Sequence, residues 1–339
     1  MNEPIDPTVL GLDIGGANLK AAHSTGIALT HPFPLWRQPE QLPAQLRALR
    51  GRMPPDELIA VTMTGELCDC YANRREGVLA ILGSTLEAAA GTPVRVWTIR
   101  GELVDAPQVR DDPLSAAAGN WLALAYLAAR YTEGEPALLI DAGSTTTDLV
   151  MLEPGRPRPR AYTDRERMQS GELVYTGVRR TPVCAVLGMG FAAEFFATML
   201  DAYLVLGLLP ENAMDTATAD GRPATRAHAH ARLARLWCAD AEDVSASAVD
   251  ALARQAVDTQ IAHVCHAVDR VIAGRPAPAR VILSGSGGAL GHALLSVHPA
   301  LSGAAVVSLA QRLGPSLSEA ACAFALALLA GGSLRTSAP

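Results

Sequence analysis

The chain has 339 residues, of which 49% are hydrophobic, and its 28 basic and 34 acidic residues give a net charge of −6. This length predicts about two domains of ordinary size with buried cores, and the scattered basic residues disfavour nucleic acid as a partner. The first residues lack a basic start, and no apolar run is long enough to span a bilayer, so the sequence predicts a cytoplasmic protein without a membrane segment.

The first half of the chain alternates apolar strands with helices. Strands are predicted at 9–14, 18–22, 27–33, 58–63 and 94–97, and helices at 39–50, 73–90 and 112–131. The run 58–63 is compact and largely apolar and is followed by Thr64, Gly65 and Glu66, which is typical of a buried parallel strand with polar groups at its carboxyl end. Ligands of open α/β sheets lie at the carboxyl ends of such strands, so Glu66 is a candidate site residue.

A similar pattern begins again after the turn at 133–136. Strands are predicted at 137–142, 147–152, 183–187, 279–284 and 304–307, helices at 191–208, 245–273 and 316–330, and a polar helical insertion at about 210–243. The sequence thus predicts an α/β protein with two domains, 1–132 and 133–339, the second of which carries the insertion.

The first predicted hairpin has a polar tip that consists of Asp13, Gly15, Gly16, Asn18 and Lys20. Glycines let backbone N–H groups approach an anion, an ammonium group neutralises charge, and a carboxylate at a strand end can hold a hydrated cation. By itself this segment favours an ordinary hairpin that turns on two glycines, which is a common structural element.

A second Asp-x-Gly hairpin follows 128 residues later. Its polar residues are Asp141, Gly143, Ser144, Thr145, Thr146 and Asp148. The alternative is that the Ser/Thr run merely favours a strand, but packing gives no reason for Asp141 and Asp148 beside the turn. We therefore expect Asp13, Asp141 and Asp148 to bind Mg²⁺, and the Gly, Ser and Thr backbones to bind phosphate oxygens.

A third loop follows the strand at 279–284 and consists of Ser284, Gly285, Ser286, Gly287 and Gly288. Two Asp-x-Gly hairpins followed by such a loop resemble the actin-like ATPase superfamily, with its two phosphate loops and its adenosine loop. The resemblance implies two duplicated ribonuclease H-like domains that face each other across a cleft. It assigns Gly285, Gly287 and Gly288 to phosphate or nucleotide binding.

Two further stretches carry a more specific resemblance, together with DIGGANLK at 13–20. They are TMTGELCDCYANRREGV at 62–78 and SGELVYTGVRRTPV at 170–183. All three look like the hydantoinase/oxoprolinase-related proteins of the tetrahydromethanopterin-linked one-carbon pathway. The match extends from about residue 8 to residue 330 and is weakest in the insertion.

That resemblance implies a transferase of methanofuran biosynthesis. The reaction joins an aminomethylfuran-methyl diphosphate to the phenol oxygen of γ-glutamyl-tyramine and releases diphosphate. Lys20 and Mg²⁺ are then expected to neutralise the leaving group, with help from Arg179 and Arg180 unless these two lie on a solvated hairpin face. Candidates for accepting the phenol hydrogen bond or proton are Glu66, Asp69 and Glu172.

Two other functions use the same loops. One is an ATP-dependent kinase or a hydantoinase/oxoprolinase-like enzyme, in which the loops hold ATP. The other, of a different class, is a nucleotide-sensing ATPase of the heat-shock type. The transferase does not need ATP, so ATP is a possible but not a favoured ligand, and a homodimer is one possible assembly.

The histidines and cysteines indicate neither zinc nor disulfides. His228, His230 and Cys238 form one group and His263, Cys265 and His266 another, yet neither has an apparent fourth ligand. The six cysteines show no disulfide framework, which agrees with a reducing compartment.

Overall fold

The computed structural model describes residues 7–335. These residues form two compact α/β units. Unit 1 comprises 7–137, 152–164 and 307–335, and unit 2 comprises 138–151 and 165–306. The predicted domains divide the chain once, at 132/133. The observed units are each made of separate chain segments. The segment 307–335, for example, belongs to unit 1 because its last helix packs on the first strand of that unit.

Unit 1 is built on a six-stranded sheet with the order β3-β2-β1-β4-β5-β6. Its strands are β1 (Val9–Ile14), β2 (Asn18–His23), β3 (Ala28–Pro32), β4 (Leu58–Met63), β5 (Val94–Trp97) and β6 (Leu103–Asp105). The pair β1/β4 and the pair β4/β5 are parallel, whereas β2, β3 and β6 pair antiparallel. All six residues of β1 are buried, as a parallel strand with two covered faces requires.

Helices cover both faces of this sheet. The helices before β7 are α1 (Leu42–Arg50), α2 (Arg74–Ala89), α3 (Ala106–Asp111) and α4 (Asn120–Ala129). The side chain of Asn73 accepts a hydrogen bond from the Glu76 N–H and so begins α2. One core lies between α1, α2 and the sheet face that carries Leu10, Leu12 and Ile14.

The opposite face is covered by α13 (Ala321–Ala330), which packs on β1, β2 and β4. Gly11 allows this approach, because a Cβ atom there would overlap the Ala323 carbonyl oxygen. Before α13 lie β12 (Ala305–Ser308), α11 (Leu309–Leu313) and α12 (Pro315–Glu319). The predicted helix 316–330 is thus two helices that meet at Ala320, the residue between α12 and α13.

Unit 2 contains most of a second sheet with the order β10-β8-β7-β11-β12, in which β9 also pairs with β8. The strands not yet named are β7 (Ala137–Ala142), β8 (Thr147–Glu153), β9 (Arg156–Pro157), β10 (Leu173–Val174) and β11 (Arg280–Ser284). Apart from β9, the order again runs third, second, first, fourth, fifth strand, as in β3-β2-β1-β4-β5. This repeated order is that of a ribonuclease H-like fold, so the predicted fold class is confirmed.

The helices of unit 2 surround the buried core of that unit. They are α6 (Val183–Leu187), α7 (Met199–Val205), α8 (Arg226–Ala234), α9 (Ala246–Ile272) and α10 (Gly288–Val297), and α5 (Asp164–Ser170) begins at the boundary between the units. The predicted insertion 210–243 contains α8 and otherwise consists mainly of turns. Among residues 7–335, no helix has the length and apolar character needed to cross a membrane.

Three other predicted elements were wrong. The segment 183–187 is a helix, since Pro182 precedes it and Val183 and Val186 are buried with helical spacing. The helix predicted at 191–208 is only α7, whose start is fixed by the capping box of Thr198 with Asp201. The helix predicted at 112–131 is interrupted at Ala118, which has a φ of 51° and donates its N–H to the Met63 carbonyl.

Candidate functional site

The tip of the first hairpin is a two-residue loop, Gly16–Ala17. It is closed by a hydrogen bond of 3.0 Å from the Gly15 N–H to the Asn18 carbonyl. The carbonyl oxygens of the two loop residues accept hydrogen bonds from the backbone of the segment 33–35. Since every peptide bond here is trans, the N–H that follows each carbonyl points to the opposite side. The tip therefore presents successive N–H groups away from 33–35, as an anion-binding loop does.

Four polar side chains form a row across the sheet beside this tip, which we call the Asp13 row. Asp13 on β1 lies opposite Lys20 on β2 and Thr62 on β4, and Lys20 lies opposite Thr30 on β3. Residues that lie directly opposite each other in a sheet project to the same face. The row therefore lies on the same face of the sheet as Gly11, which α13 covers, but two residues closer to the carboxyl end of β1.

Three oxygens of the Asp13 row are buried and have no hydrogen-bond partner within residues 7–335: Oδ1 of Asp13 and Oγ1 of Thr30 and of Thr62. Burial raises the pKa of the Asp13 carboxyl, and the Lys20 charge opposes this. Unsatisfied buried polar atoms are rare because each costs about 1–3 kcal/mol, so the row is suited to bind a ligand, an ion or water. Thr30 and Thr62 were not predicted as site residues.

Glu66 lies next to the same tip. The N–H groups of Thr64 and Gly65 donate to the Ile14 carbonyl at 2.9 and 3.1 Å, which fixes the chain after β4 beside the end of β1. Glu66 is 2% exposed, and its Oε2 has no hydrogen-bond partner among the described residues. Its Oε1 lies 3.8 Å from Nε of Arg74.

Burial raises the pKa of Glu66 to about 7, although its backbone hydrogen bond and Arg74 lower it, and Asp164 adds to the rise. A carboxyl with such a pKa can exchange a proton near neutral pH. Asp69, three residues later, is exposed and lies outside the helices and strands. Its predicted role toward the phenol stays a prediction.

The second hairpin, in unit 2, repeats the construction of the first. The Gly143 N–H donates to the Thr146 carbonyl at 2.8 Å and closes the loop Ser144–Thr145. The Gly143 carbonyl accepts from the Val178 N–H at 3.1 Å, and the Ser144 carbonyl accepts from the N–H groups of 179 and 180 at 3.1 and 2.8 Å. The N–H groups of Ser144 and Thr145 therefore point away from 178–180. We call Ser144–Thr145 the unit 2 tip.

The glycine loop after β11 packs directly on Asp141 and Ala142. Gly285 has a φ of 83°, and a Cβ there would overlap the Ala142 carbonyl oxygen and lie 2.8 Å from Oδ1 of Asp141. The Gly287 N–H donates to the same carbonyl at 2.8 Å. A Cβ at Gly288 would meet open space, so packing does not require that glycine. The structure thus brings Asp141, the unit 2 tip and the glycine loop together.

Asp148 and Glu172 surround a buried arginine. Nη2 of Arg167 donates to Oδ1 of Asp148 at 2.7 Å and to the Glu172 carbonyl at 3.1 Å. The Glu172 side chain is fully buried and accepts a hydrogen bond of 3.0 Å from the Ser170 hydroxyl. These contacts give both carboxylates a structural partner, while their predicted roles as metal ligand and phenol acceptor stay predictions.

The two predicted phosphate-binding arginines differ in their surroundings. Nη2 of Arg179 donates to Oδ2 of Asp215 at 2.7 Å, and Arg180 is exposed. Burial raises the pKa of Asp215, but the hydrogen bonds from Arg179 and the Ala217 N–H outweigh it and hold the pKa below its usual value. Arg179 is therefore held in place by a charged partner before any ligand binds.

The Asp13 row can bind a magnesium ion if oxygen atoms of the substrate complete the coordination shell of the ion. Within residues 7–335, no three side chains of His, Cys, Asp or Glu lie close enough together to hold a metal ion. Mg²⁺, however, is usually bound by one or two carboxylates together with phosphate oxygens and water. The unpartnered Oδ1 of Asp13 is a suitable carboxylate oxygen.

Comparison with known proteins gives the family. Residues 57–330 match the model of the hydantoinase/oxoprolinase family. The chain is also 30% identical over 332 residues to a protein of Methanocaldococcus jannaschii named (4-{4-[2-(gamma-L-glutamylamino)ethyl]phenoxymethyl}furan-2-yl)methanamine synthase, and the match covers 95% of this chain and 97% of the relative. The chain belongs to the hydantoinase/oxoprolinase family. The family predicted from the motifs is thus confirmed.

Other proteins are similar to this member of the hydantoinase/oxoprolinase family over shorter lengths or at lower identity. A synthase of the same name from Methanococcus vannielii is 32% identical over 117 residues, which are 32% of this chain and 52% of the relative. A solved structure of a ROK family protein from Streptococcus pneumoniae is 14% identical with a TM-score of 0.43, covering 95% of this chain and 98% of its own. An acetone carboxylase structure is 11% identical with a TM-score of 0.47, covering 95% and 70%.

Proposed function

We propose that this chain is a transferase of methanofuran biosynthesis. It joins an aminomethylfuran-methyl diphosphate to the phenol oxygen of γ-glutamyl-tyramine and releases diphosphate. The observation that carries the proposal is the identity of 30% over 95% of the chain to the Methanocaldococcus jannaschii synthase, whose name describes a furan joined through a phenoxymethyl group to a γ-glutamylaminoethyl chain.

The reaction exchanges one carbon–oxygen bond for another. The bond from the furan methylene to the diphosphate oxygen breaks, and its electron pair leaves with the diphosphate. The phenol oxygen forms the new bond to the methylene, and the phenol proton passes to an acceptor. An electron-rich furan stabilises positive charge on the methylene, so the barrier depends chiefly on neutralising the leaving group.

Residues of the first unit have the properties that leaving-group stabilisation requires. The hairpin tip Gly16–Ala17 presents N–H groups, and Lys20 of the Asp13 row provides a positive charge beside it. Thr30 and Thr62 offer buried hydroxyls that lack a partner among the described residues. The unit 2 tip offers N–H groups of the same kind, and Arg179 and Arg180 belong to the segment that supports it.

Mg²⁺, for which Asp13 offers a carboxylate oxygen in unit 1, would neutralise charge on the diphosphate oxygens, and Asp141 stays a predicted ligand of the ion. Asp148 is a further candidate ligand for the ion. The amide groups of the tips and the Lys20 ammonium bind and orient the same kind of oxygen without the ion. ATP has no step in this reaction.

Glu66 is the proposed acceptor of the phenol proton. Its pKa of about 7 leaves it substantially deprotonated in neutral solution, and its Oε2 lacks a partner among residues 7–335. Asp69 and Glu172 are the alternatives to Glu66. Glu66 is favoured because it lies beside the Gly15 turn, whereas Asp69 is exposed and Glu172 is bonded to Ser170.

We place the protein in the cytoplasm. All six cysteines are free thiols, as expected in a reducing compartment. Its partners are then its two small-molecule substrates, and assembly as a homodimer stays a prediction.

Turnover with defined substrates tests the proposal. The purified chain is incubated with the furan diphosphate, γ-glutamyl-tyramine and Mg²⁺, and both diphosphate release and the mass of the ether product are measured. We expect release that needs both substrates and no ATP, that is lost in Asp13→Asn and that persists in Glu40→Gln, an exposed carboxyl in the same unit. Product formation that consumes ATP, or no ether product, would overturn the proposal.

A further inference from the structure

A buried amide occupies the middle of the long helix α9. Gln260 is fully buried, and its Nε2 donates to Oγ1 of Thr176 at 2.8 Å and to the Gly177 carbonyl at 3.0 Å. Its Oε1 accepts a hydrogen bond of 2.9 Å from the hydroxyl of Tyr203 on α7. Both amide hydrogens and the amide oxygen of Gln260 are thus engaged.

An apolar side chain of similar size would fill this space without needing partners. A fully satisfied buried polar group contributes little net stability compared with such a replacement, but it fixes the geometry of the groups that it contacts. Gln260 fixes the Thr176 side chain and the Gly177 backbone. Two other hydroxyls hold the same residues: Oγ1 of Thr147 donates to the Thr176 carbonyl at 2.8 Å, and Oγ1 of Thr181 accepts from the Gly177 N–H at 2.9 Å.

The other side of this backbone supports the unit 2 tip. A Cβ at Gly177 would lie 2.5 Å from both the Gly143 carbonyl oxygen and the Thr145 nitrogen, so the two segments touch with no room for a side chain. The N–H groups of 178–180 hold the carbonyls of Gly143 and Ser144. A displacement of 176–177 would therefore change the direction of the Ser144 and Thr145 N–H groups.

We propose that Gln260 is a positioning residue for diphosphate binding. It holds 176–180 in the one position in which the N–H groups of the unit 2 tip face a phosphate group. Gln260 itself does not touch substrate. The inference rests on the proposed function, in which this tip binds phosphate oxygens, and it adds a residue that lies more than eighty positions along the chain from the segment it supports.

Binding of inorganic diphosphate decides the inference. Calorimetry with Mg²⁺ and inorganic diphosphate compares wild type, Gln260→Leu and Gln255→Leu, the last being the same change at an exposed position of α9. We expect Gln260→Leu to weaken binding by about tenfold or more, since one misdirected charge-assisted hydrogen bond has about that effect, and Gln255→Leu to bind as wild type does. Equal affinities in the two variants, or no binding by wild type, would overturn the inference.

Kinetics separate positioning from a general loss of structure. In Gln260→Leu we expect KM for the furan diphosphate to rise about tenfold while KM for γ-glutamyl-tyramine stays within about twofold. Parallel rises in both constants, with a lower Tm, would contradict a positioning role.

Tyr203→Phe keeps the packing and removes one hydrogen bond, so it provides the test if Gln260→Leu does not fold. It should weaken diphosphate binding by about threefold, and wild-type affinity would refute the inference. Wild type that binds inorganic diphosphate but forms no ether product would refute the proposed function while leaving these comparisons decisive.

Discussion

Replacing Glu66 by Gln should change both the pH dependence of stability and that of activity. In the folded chain Glu66 has a pKa of about 7, against 4.5 for the ordinary side chain. Between these values the folded state keeps a proton that the unfolded state has released. Since the folded state binds more protons there, its stability falls as pH rises through this window.

The size of this effect follows from the two pKa values. For a single carboxyl with these values, the free energy of unfolding decreases by about 2.5 kcal/mol between pH 5 and pH 8. Other carboxyls contribute their own dependence, so the informative quantity is the difference between wild type and Glu66→Gln. The free energy of unfolding of wild type minus that of Glu66→Gln should fall by about 2.5 kcal/mol from pH 5 to pH 8, because Gln does not titrate.

Urea unfolding at several pH values measures the difference, with Glu40→Gln as the control for loss of an exposed carboxyl. In turnover assays, wild-type kcat/KM should rise with pH with a midpoint near 7, as expected of a base that must be deprotonated, and Glu66→Gln should lose this rise and most of the activity. A stability difference that is constant from pH 5 to pH 8 would refute the assigned pKa. An unchanged activity profile would refute the role as base.

Three further changes test other parts of the structure. Thr62→Val removes an unpartnered buried hydroxyl, so it should stabilise the fold by about 1 kcal/mol in thermal unfolding while raising KM for the furan diphosphate; lower stability with unchanged KM would show a structural hydroxyl. Gly177→Ala places a Cβ 2.5 Å from the unit 2 tip and should weaken diphosphate binding in calorimetry, whereas Gly83→Ala, which meets open space on α2, should not. Arg167→Met leaves Asp148 without its buried partner and should lower the free energy of unfolding by about 3–5 kcal/mol in urea, and a loss below about 1 kcal/mol would contradict that pairing.

The local part of the candidate site could be predicted from the sequence. Asp13 and the two glycines of the first turn, Gly15 and Gly16, stand within a few residues of each other, and a strand that ends in a short Gly-containing loop has few conformations. Glu66 could be predicted because a largely apolar strand ends shortly before it, and the end of a buried parallel strand is where a ligand site is expected.

The residues that sequence reasoning missed depend on partners far along the chain. Thr62 becomes a neighbour of Asp13 only through the register of β1 and β4, and Thr30 joins the row only through β2 and β3. Gln260 is one polar residue in a helix of 27, and nothing in its neighbours indicates that the amide faces inward. The helix 183–187 was predicted as a strand because its valines favour strands, whereas Pro182 and the buried spacing decide for a helix.

The contact of α13 with β1 has a consequence for the order in which the protein folds during synthesis. Gly11 leaves the ribosome long before Ala323, against which it packs, because the residues of unit 2 lie between them in the sequence. One face of the first sheet therefore stays without α13 while residues 138–306 are synthesised. We expect unit 2 to be the first complete folding unit on the nascent chain, and the Asp13 row to reach its final environment last.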